Sequence, residues 1–413
     1  MMKTKLLLLS WVICAIVVSQ IPVHGQTEET PWNVKDAISM DLRLRWEHAD
    51  QLGLEYSDAL TARVRLGLDF PIMQRMTGFV EGEFTIAAGS DNYDPYPGDQ
   101  GNPGKTIIAD PENLELNRAF ITYTENFVTV VVGRQRIIRN NARFIGNVGW
   151  RQNEQTFDSI YANIDVNESF QFVYGFMGQA NRIFGREADV QTQRFFDMSS
   201  HLAELTYKGE GPVDAGIYTY LLQVKNAPSQ SSDTFGIWLT GTHPVSDDFS
   251  VVWRAEMANQ MDNSKSPDGE SFDLKYYHLT AGFKKGRVGL GIGGEKLSGD
   301  GAKGFSTPLA TLHAFNGFAD AFLTTPVEGL QDLYIKASMD FMPSLTGALI
   351  LHKFSSGGGG IKYGKEVDAV ITYKLNDRIS FTSKVAFYDG EKGAPFGTST
   401  DLERFWLQAD IKY

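Results

Sequence analysis

The sequence predicts an all-β chain: a transmembrane up-and-down antiparallel barrel of about eighteen strands, with short periplasmic turns and long extracellular loops. Three observations carry that expectation. Segments of period two recur along the chain, every second connection is tight, and 41 Gly and 27 Phe accompany scarce helical patterning. A period of two puts successive side chains on opposite faces of a strand. Sorting of loops by parity is expected of an outer-membrane barrel, whereas a soluble sandwich has no reason for it.

The chain opens with "MMKTKLLLLSWVICAIVVSQIPVHGQ". Lys3 and Lys5, the apolar run Leu6 to Ile21 and the small-residue site Val23-His24-Gly25 read as a secretory signal peptide over residues 1–25. A retained anchor is the alternative, but the run contains Ser10, Ser19 and Gln20 and falls short of the ~20 apolar residues needed to span. The only cysteine, Cys14, lies in this leader, and Ile13 before it does not fit a lipoprotein site. The mature chain therefore has no disulfides, zinc–thiolate site or cysteine nucleophile. With 50 acidic against 38 basic residues, nucleic acid is an improbable partner. Residues 26–36 are expected to be a short periplasmic segment, and 37–413 the barrel.

The first strand, "ISMDLRLRWEH", opposes Ile38, Met40, Leu42, Leu44 and Trp46 to Ser39, Asp41, Arg43, Arg45 and Glu47. The second sets Leu60, Val64, Leu66 and Leu68 against Thr61, Arg63, Arg65 and Asp69, and the third Val80, Phe84 and Ile86 against Glu81, Glu83 and Thr85. Later segments oppose Val251, Trp253 and Met257 to Arg254 and Glu256, Leu333 and Ile335 to Lys336, and Leu407 and Ile411 to Arg404 and Asp410. Strand starts are expected near residues 37, 59, 77, 114, 128, 157, 169, 200, 214, 232, 249, 272, 288, 331, 346, 365, 379 and 402. Tight links such as Glu125-Asn126-Phe127 and Lys284–Arg287 alternate with long ones such as Gly89–Asn113, Arg139–Thr156 and Ser298–Gly329.

The apolar parity must face lipid, because a spanning sheet closes on itself to satisfy its backbone groups. The charged parity then lines water, since burying each ion unpaired costs several kcal/mol. The inward cations Arg43, Arg45, Arg63, Arg65, Arg254, Lys336, Lys384 and Arg404 are the main candidates for function. Fixed guanidiniums hold carboxylate, sulfate or phosphate groups through charge-assisted bonds, and rings of them bias a pore toward anions. The competing reading is that they pair with Asp41, Glu47, Glu81, Glu83 and Glu256 and merely stiffen the wall. Both can hold in one lumen.

Other motifs carry less. Asp91, Asn92, Asp94 and Asp99 could offer oxygens to calcium, but without EF-hand spacing a solvated loop is the better expectation. "GLGIGG" (Gly289–Gly294) has dinucleotide-loop glycines, yet it sits inside an alternating strand rather than between a strand and a helix. Ala310–Leu323 is the one stretch with some helical patterning, and Phe305–Pro326 is expected as a helix or loop folded into or over the pore, or packed on its rim. No H-E-x-x-H or G-x-S-x-G occurs, so neither enzyme nor cofactor is expected. A TonB-dependent transporter is disfavoured because only Gln26 to Lys35 precede the first strand, too few for a plug domain.

Four segments resemble the alginate-export family of outer-membrane barrels: "LNRAFITY", "GRQRIIRNNARFIGNVGWRQNEQTFDS", "FSTPLATLHAFNGFADAFLTTPVEGLQDLYI" and "YGKEVDAVITYKL". The Gly-Arg-Gln…Trp-Arg-Gln-Asn and Thr-Pro-Leu…Phe-Asn-Gly blocks are its specific parts. The resemblance implies an eighteen-stranded monomer whose arginine-rich lumen conducts anionic solutes. It also implies lumen or constriction positions at Arg134, Arg143, Arg151, Gln152 and Asn153, although the parity of "VTVVVGRQR" leaves Arg134 free to point either way. The family's members are not all alginate exporters, so the substrate does not carry over. The expected function is passive passage of anionic or polar solutes, uronate oligomers or an anionic polysaccharide among them, across a Gram-negative outer membrane. Its rival is a non-conducting barrel whose outer loops bind a partner or surface.

Overall fold

A computed structural model describes residues 33–89, 92–263, 271–395 and 399–413. The expected leader lies outside the described residues, as does Asp91. The strands are β1 (Ile38–Gln51), β2 (Ser57–Met73), β3 (Met76–Ala87), β4 (Asn113–Glu125), β5 (Val128–Gln135), β6 (Thr156–Asp165), β7 (Phe170–Asn181), β8 (Phe195–Lys208) and β9 (Val213–Leu222). They continue as β10 (Ser232–Ser246), β11 (Phe249–Met261), β12 (Asp273–Lys285), β13 (Val288–Leu297), β14 (Leu330–Met342), β15 (Leu345–Ser355), β16 (Lys362–Lys374), β17 (Ile379–Gly390) and β18 (Leu402–Lys412).

Each strand pairs antiparallel with its sequence neighbours, and β1 pairs with β18 from Asp41↔Lys412 to Gln51↔Leu402, which closes the 18-stranded sheet. Closure leaves the sheet without a free terminal strand. No helix among the described residues is long and apolar enough to cross a membrane.

The two parities separate as the sequence leads one to expect. Leu44, Ile217, Leu279, Ile292 and Leu407 project outward and are exposed, while Arg45, Arg63, Glu83 and Asp368 project inward and are inaccessible. Asp94 organises its own loop, its Oδ1 accepting the backbone N–H groups of Tyr96 and Asn102. Among the described residues, no cluster of three or more acids and histidines could hold a metal ion.

Three local expectations are corrected. The helical patterning over Ala310–Leu323 yields only one 3-10 turn at Leu312–Ala314, because the segment is packed by side chains on the barrel wall. Strand β8 begins at Phe195 rather than near 200, its first residues pairing with the end of β7. Arg134 shares a face with outward Val132, whose register partners Ile121 and Ile160 are also exposed, so it lies on the outside of the wall.

Candidate functional site

Two connections fold into the bore and meet there: residues 136–155, between β5 and β6, and residues 298–329, between β13 and β14. Their backbones bond directly, Gly146 N to Leu309 O at 2.9 Å and Thr311 N to Ala142 O at 3.0 Å. The Gln155 amide adds a bond to Leu309 O at 3.0 Å. Ala142, Val148, Asn316 and Asp320 all take left-handed φ values, between 52° and 64°. Such backbones cost non-glycine residues on the order of 1–3 kcal/mol and persist only where the surroundings over-determine them. The phenyl ring of Phe144 supplies an apolar anchor, packed against Tyr218, Tyr220, Tyr276 and Phe305 on the inner wall and the second segment.

The wall grips the first segment through the predicted arginines. Arg43 and Arg63 face each other in register, and their like charges are separated by pairing with Asp410 and Asp41 respectively. Arg43 Nη1 donates to Trp150 O at 3.0 Å and Gly149 O at 3.1 Å. Arg45 is fully buried, donates to Trp150 O and to Asp110 Oδ2 at 3.2 Å, and lies 4.2 Å over the Trp150 ring. Arg65 pairs with Glu83 and donates to Gln152 O at 3.2 Å. Gln152 N donates to Asp110 Oδ1 at 2.7 Å, and the Asn153 amide to Pro111 O at 3.0 Å. Buried Glu154 accepts from Arg136 at 2.7 Å and from Asn117 at 2.7 Å. Asn117 and Arg118 can both reach Glu81 because a β-bulge at Glu81/Gly82 turns two successive residues inward.

The second segment is held from β16 and β18, across the β1–β18 seam from the first. Arg404 donates to Ala319 O at 2.9 Å, Glu366 accepts Ala319 N at 2.7 Å, and Asp368 accepts Phe318 N at 3.0 Å. Arg143 reaches across from the first segment to Glu295 at 2.8 Å and to Asn316 at 3.2 Å. Arg151 does the same with Asp320 at 2.8 Å, while its other nitrogen bonds Glu47. Gly317 sits where a Cβ would fall 2.3 Å from Glu366 Oε2, at φ +88°, so only glycine fits.

The two segments and the wall converge on His313. Its ring stacks on Trp150, centroids 4.8 Å apart, and Lys384 Nζ lies 2.7 Å from its Nε2 and 3.4 Å above the Phe318 ring. The lysine donates, so the imidazole proton lies on Nδ1 and is given to Asp320 Oδ1 at 2.9 Å. Burial pushes this imidazole down to about 3, with Lys384 acting in the same direction and Asp320 opposing.

The predicted lumen residues thus fall into groups. Arg43, Arg45, Arg63, Arg65, Arg151, Gln152, Asn153, Arg143 and Arg404, with Glu83, hold the inserted segments. Glu81 orders the bulge. Arg254 and Glu256 pair with each other at 2.6 Å on the inner wall. Lys336 lies on the inward parity of β14 beside Gly291 and is exposed. Asp110, Trp150, Glu154 and His313 escaped sequence reasoning, because they sit in connections where no period marks a face. The Trp-Arg-Gln-Asn and Thr-Pro-Leu…Phe-Asn-Gly blocks were the signals near them.

A closed sheet of eighteen strands with connections folded into its bore defines an outer-membrane barrel of the porin type. The chain belongs to the alginate export family, whose pattern matches residues 35–261. Among solved structures it is similar to OccAB4 of Acinetobacter baumannii, at 12% identity over 91% of this chain and 97% of that one, TM-score 0.70. It is also similar to Pseudomonas aeruginosa OpdK solved with vanillate (13% identity, 92% and 99% covered, TM-score 0.70) and to OpdQ of the same organism (15%, 91% and 98%, TM-score 0.65). At these identities the likeness is one of fold. No curated protein matches the chain.

Proposed function

We propose that this barrel is a passive outer-membrane channel for small anionic or polar solutes, narrowed by the two inserted segments. The observation that carries the reading is the arrangement of the inner arginines. Most are committed to backbone carbonyls and carboxylates, while the side chains of Arg43, Arg118, Arg136, Arg139 and Arg254 stay 11–31% exposed. Paired in this way they are oriented and only partly neutralised, and a carboxylate-bearing solute can exchange with the fixed acids. Lys336 adds an exposed cation without a carboxylate partner among the described residues. A bore this filled suits monomeric acids better than a polysaccharide chain, which places uronates and aromatic carboxylates ahead of polymer. OpdK, similar in fold, was solved with vanillate, an aromatic carboxylate.

The rest of the proposal follows the sequence: export through the leader over 1–25, a barrel over 37–413, a monomer, and no reaction. A second reading, a closed barrel acting through its outer loops, is favoured by the complete burial of Arg45, Arg63 and Gln152. Single-channel recording with a potassium chloride gradient separates the two. A steady conductance with anion preference supports the channel. Cation preference shifts the reading to a general porin ruled by its acids, and silence from folded barrel supports the closed form.

A further inference from the structure

The wall carries a polar notch on its outer face. Strand β5 leaves the sheet at Gln135, so β4 has no partner on that side above Ala119, and the edge from Asn113 to Arg118 lacks a neighbour. Gly133 takes φ +129° at the departure, where a Cβ would fall 2.3 Å from Ala119 O. Bulges at Asp158/Ser159 and Met177/Gln179 bend the two following strands beside it. A cavity of about 760 Å³ results, lined by Glu115, Arg134, Asp158, Asn181, Arg186 and Arg194 among others.

Register fixes which way this cavity faces. Ala119, Arg134 and Asp158 align with one another and share the face of Ile121, Val132 and Ile160, all of which are exposed to lipid. Leu116 and Phe195 form apolar lips. Arg134 pairs bidentately with Asp158 at 2.7 and 2.9 Å and donates to the unpaired Leu116 carbonyl at 3.1 Å. Two further guanidiniums are less engaged. Arg186 has no hydrogen bond or ion pair among the described residues, and Arg194 Nε is buried without a partner. Three arginines therefore face Asp158 directly above an apolar belt, while Glu115, in register with inward Glu83, lies behind the gap.

We propose that this notch binds the phosphate-bearing headgroup of an amphiphile in the surrounding leaflet. The acyl chains would lie on Ile121, Val132 and Ile160, and the phosphate would be held by Arg186 and Arg194. Guanidiniums match phosphate oxygens with two parallel donors, and the neighbouring apolar strip supplies the second half of an amphiphile's contact. Arg134 stays with Asp158 as the positioning residue that seals the strand gap.

The test uses the full barrel, delipidated and titrated in detergent with a bis-phosphorylated glucosamine lipid, with bound lipid counted by native mass spectrometry. Wild type is expected to retain the lipid, and Arg186→Gln with Arg194→Gln to weaken retention by about tenfold or more, from the loss of charge-assisted bonds. Heat-modifiable migration of the double variant shows that it is folded; if it is not, Arg186→Gln alone, at an exposed side chain without a hydrogen bond among the described residues, reads the same loss. Equal retention by wild type and variant overturns the proposal. So does equal retention of the dephosphorylated lipid. Displacement by millimolar inorganic phosphate with no dependence on the acyl chains would assign the notch to soluble phosphate and overturn the lipid.

Discussion

Replacing Arg45 with alanine should loosen the inserted segment at Trp150. Arg45 is inaccessible to solvent, donates to Trp150 O and covers the Trp150 ring at 4.2 Å. A hydrogen bond from a charged donor is worth about 1.5–3 kcal/mol, and a desolvated cation–π contact about 2 kcal/mol. Asp110 is not orphaned by the change, since Gln152 N donates to it at 2.7 Å and Arg151 lies 3.9 Å away. The loss therefore falls on the seating of the segment, about 3.5–5 kcal/mol, or roughly two to four orders of magnitude in the ratio of displaced to seated forms. Single-channel recording should show larger or more frequent openings in Arg45→Ala, while Arg45→Lys, which keeps charge but loses the fork, should fall between. Unchanged conductance and open probability, in a variant that still migrates as a folded barrel, would refute the idea that Arg45 holds the constriction.

Further outcomes are expected. Gly317→Ala should lower the temperature at which heat-modifiable migration is lost, by a cost on the order of 1–2 kcal/mol for the left-handed backbone plus the clash with Glu366. Acid should unseat the second segment: His313 takes up a proton at about 3 when buried but near 6.5 when free, so seating is full above that upper value and lost as pH falls between the two. His313→Gln, able to bond both Lys384 and Asp320, should flatten that part of the conductance–pH profile; an unaltered profile would assign the effect elsewhere. Lys336→Glu should move the reversal potential toward cation preference without altering stability, because the side chain is exposed.

How much was legible follows from periodicity. Strand starts at 128, 249, 288 and 379 match those expected because each follows a tight turn, and those at 232 and 402 match as well. The inward arginines of β1 and β2 were legible because they alternate with apolar side chains. Their partners were not: Trp150 O and Gln152 O are backbone atoms more than a hundred residues from Arg43 and more than eighty from Arg65. The outward face of Arg134 was hidden because "VTVVVG" is apolar on both parities and only register with β4 and β6 resolves it. The seat of His313 was unreadable because Lys384, Trp406 and Phe318 reach it from three separate stretches.

The first inserted segment lies against the seam that closes the barrel. Arg43 and Arg45 on β1 hold the carbonyls of Gly149 and Trp150, while bonding Asp410 and Gln408 on β18. The β1–β18 pairing joins residues from opposite ends of the chain, the costliest loop closure in the fold. A loop already in place presents its carbonyls to β1 and the Trp150 ring to Trp406 on β18, and so acts as a template on which the two ends can zip together. Lesions in residues 149–152 should then lower the yield of inserted barrel as well as alter its permeability, and a chain that misplaces this loop would be retained as an unsealed sheet awaiting degradation.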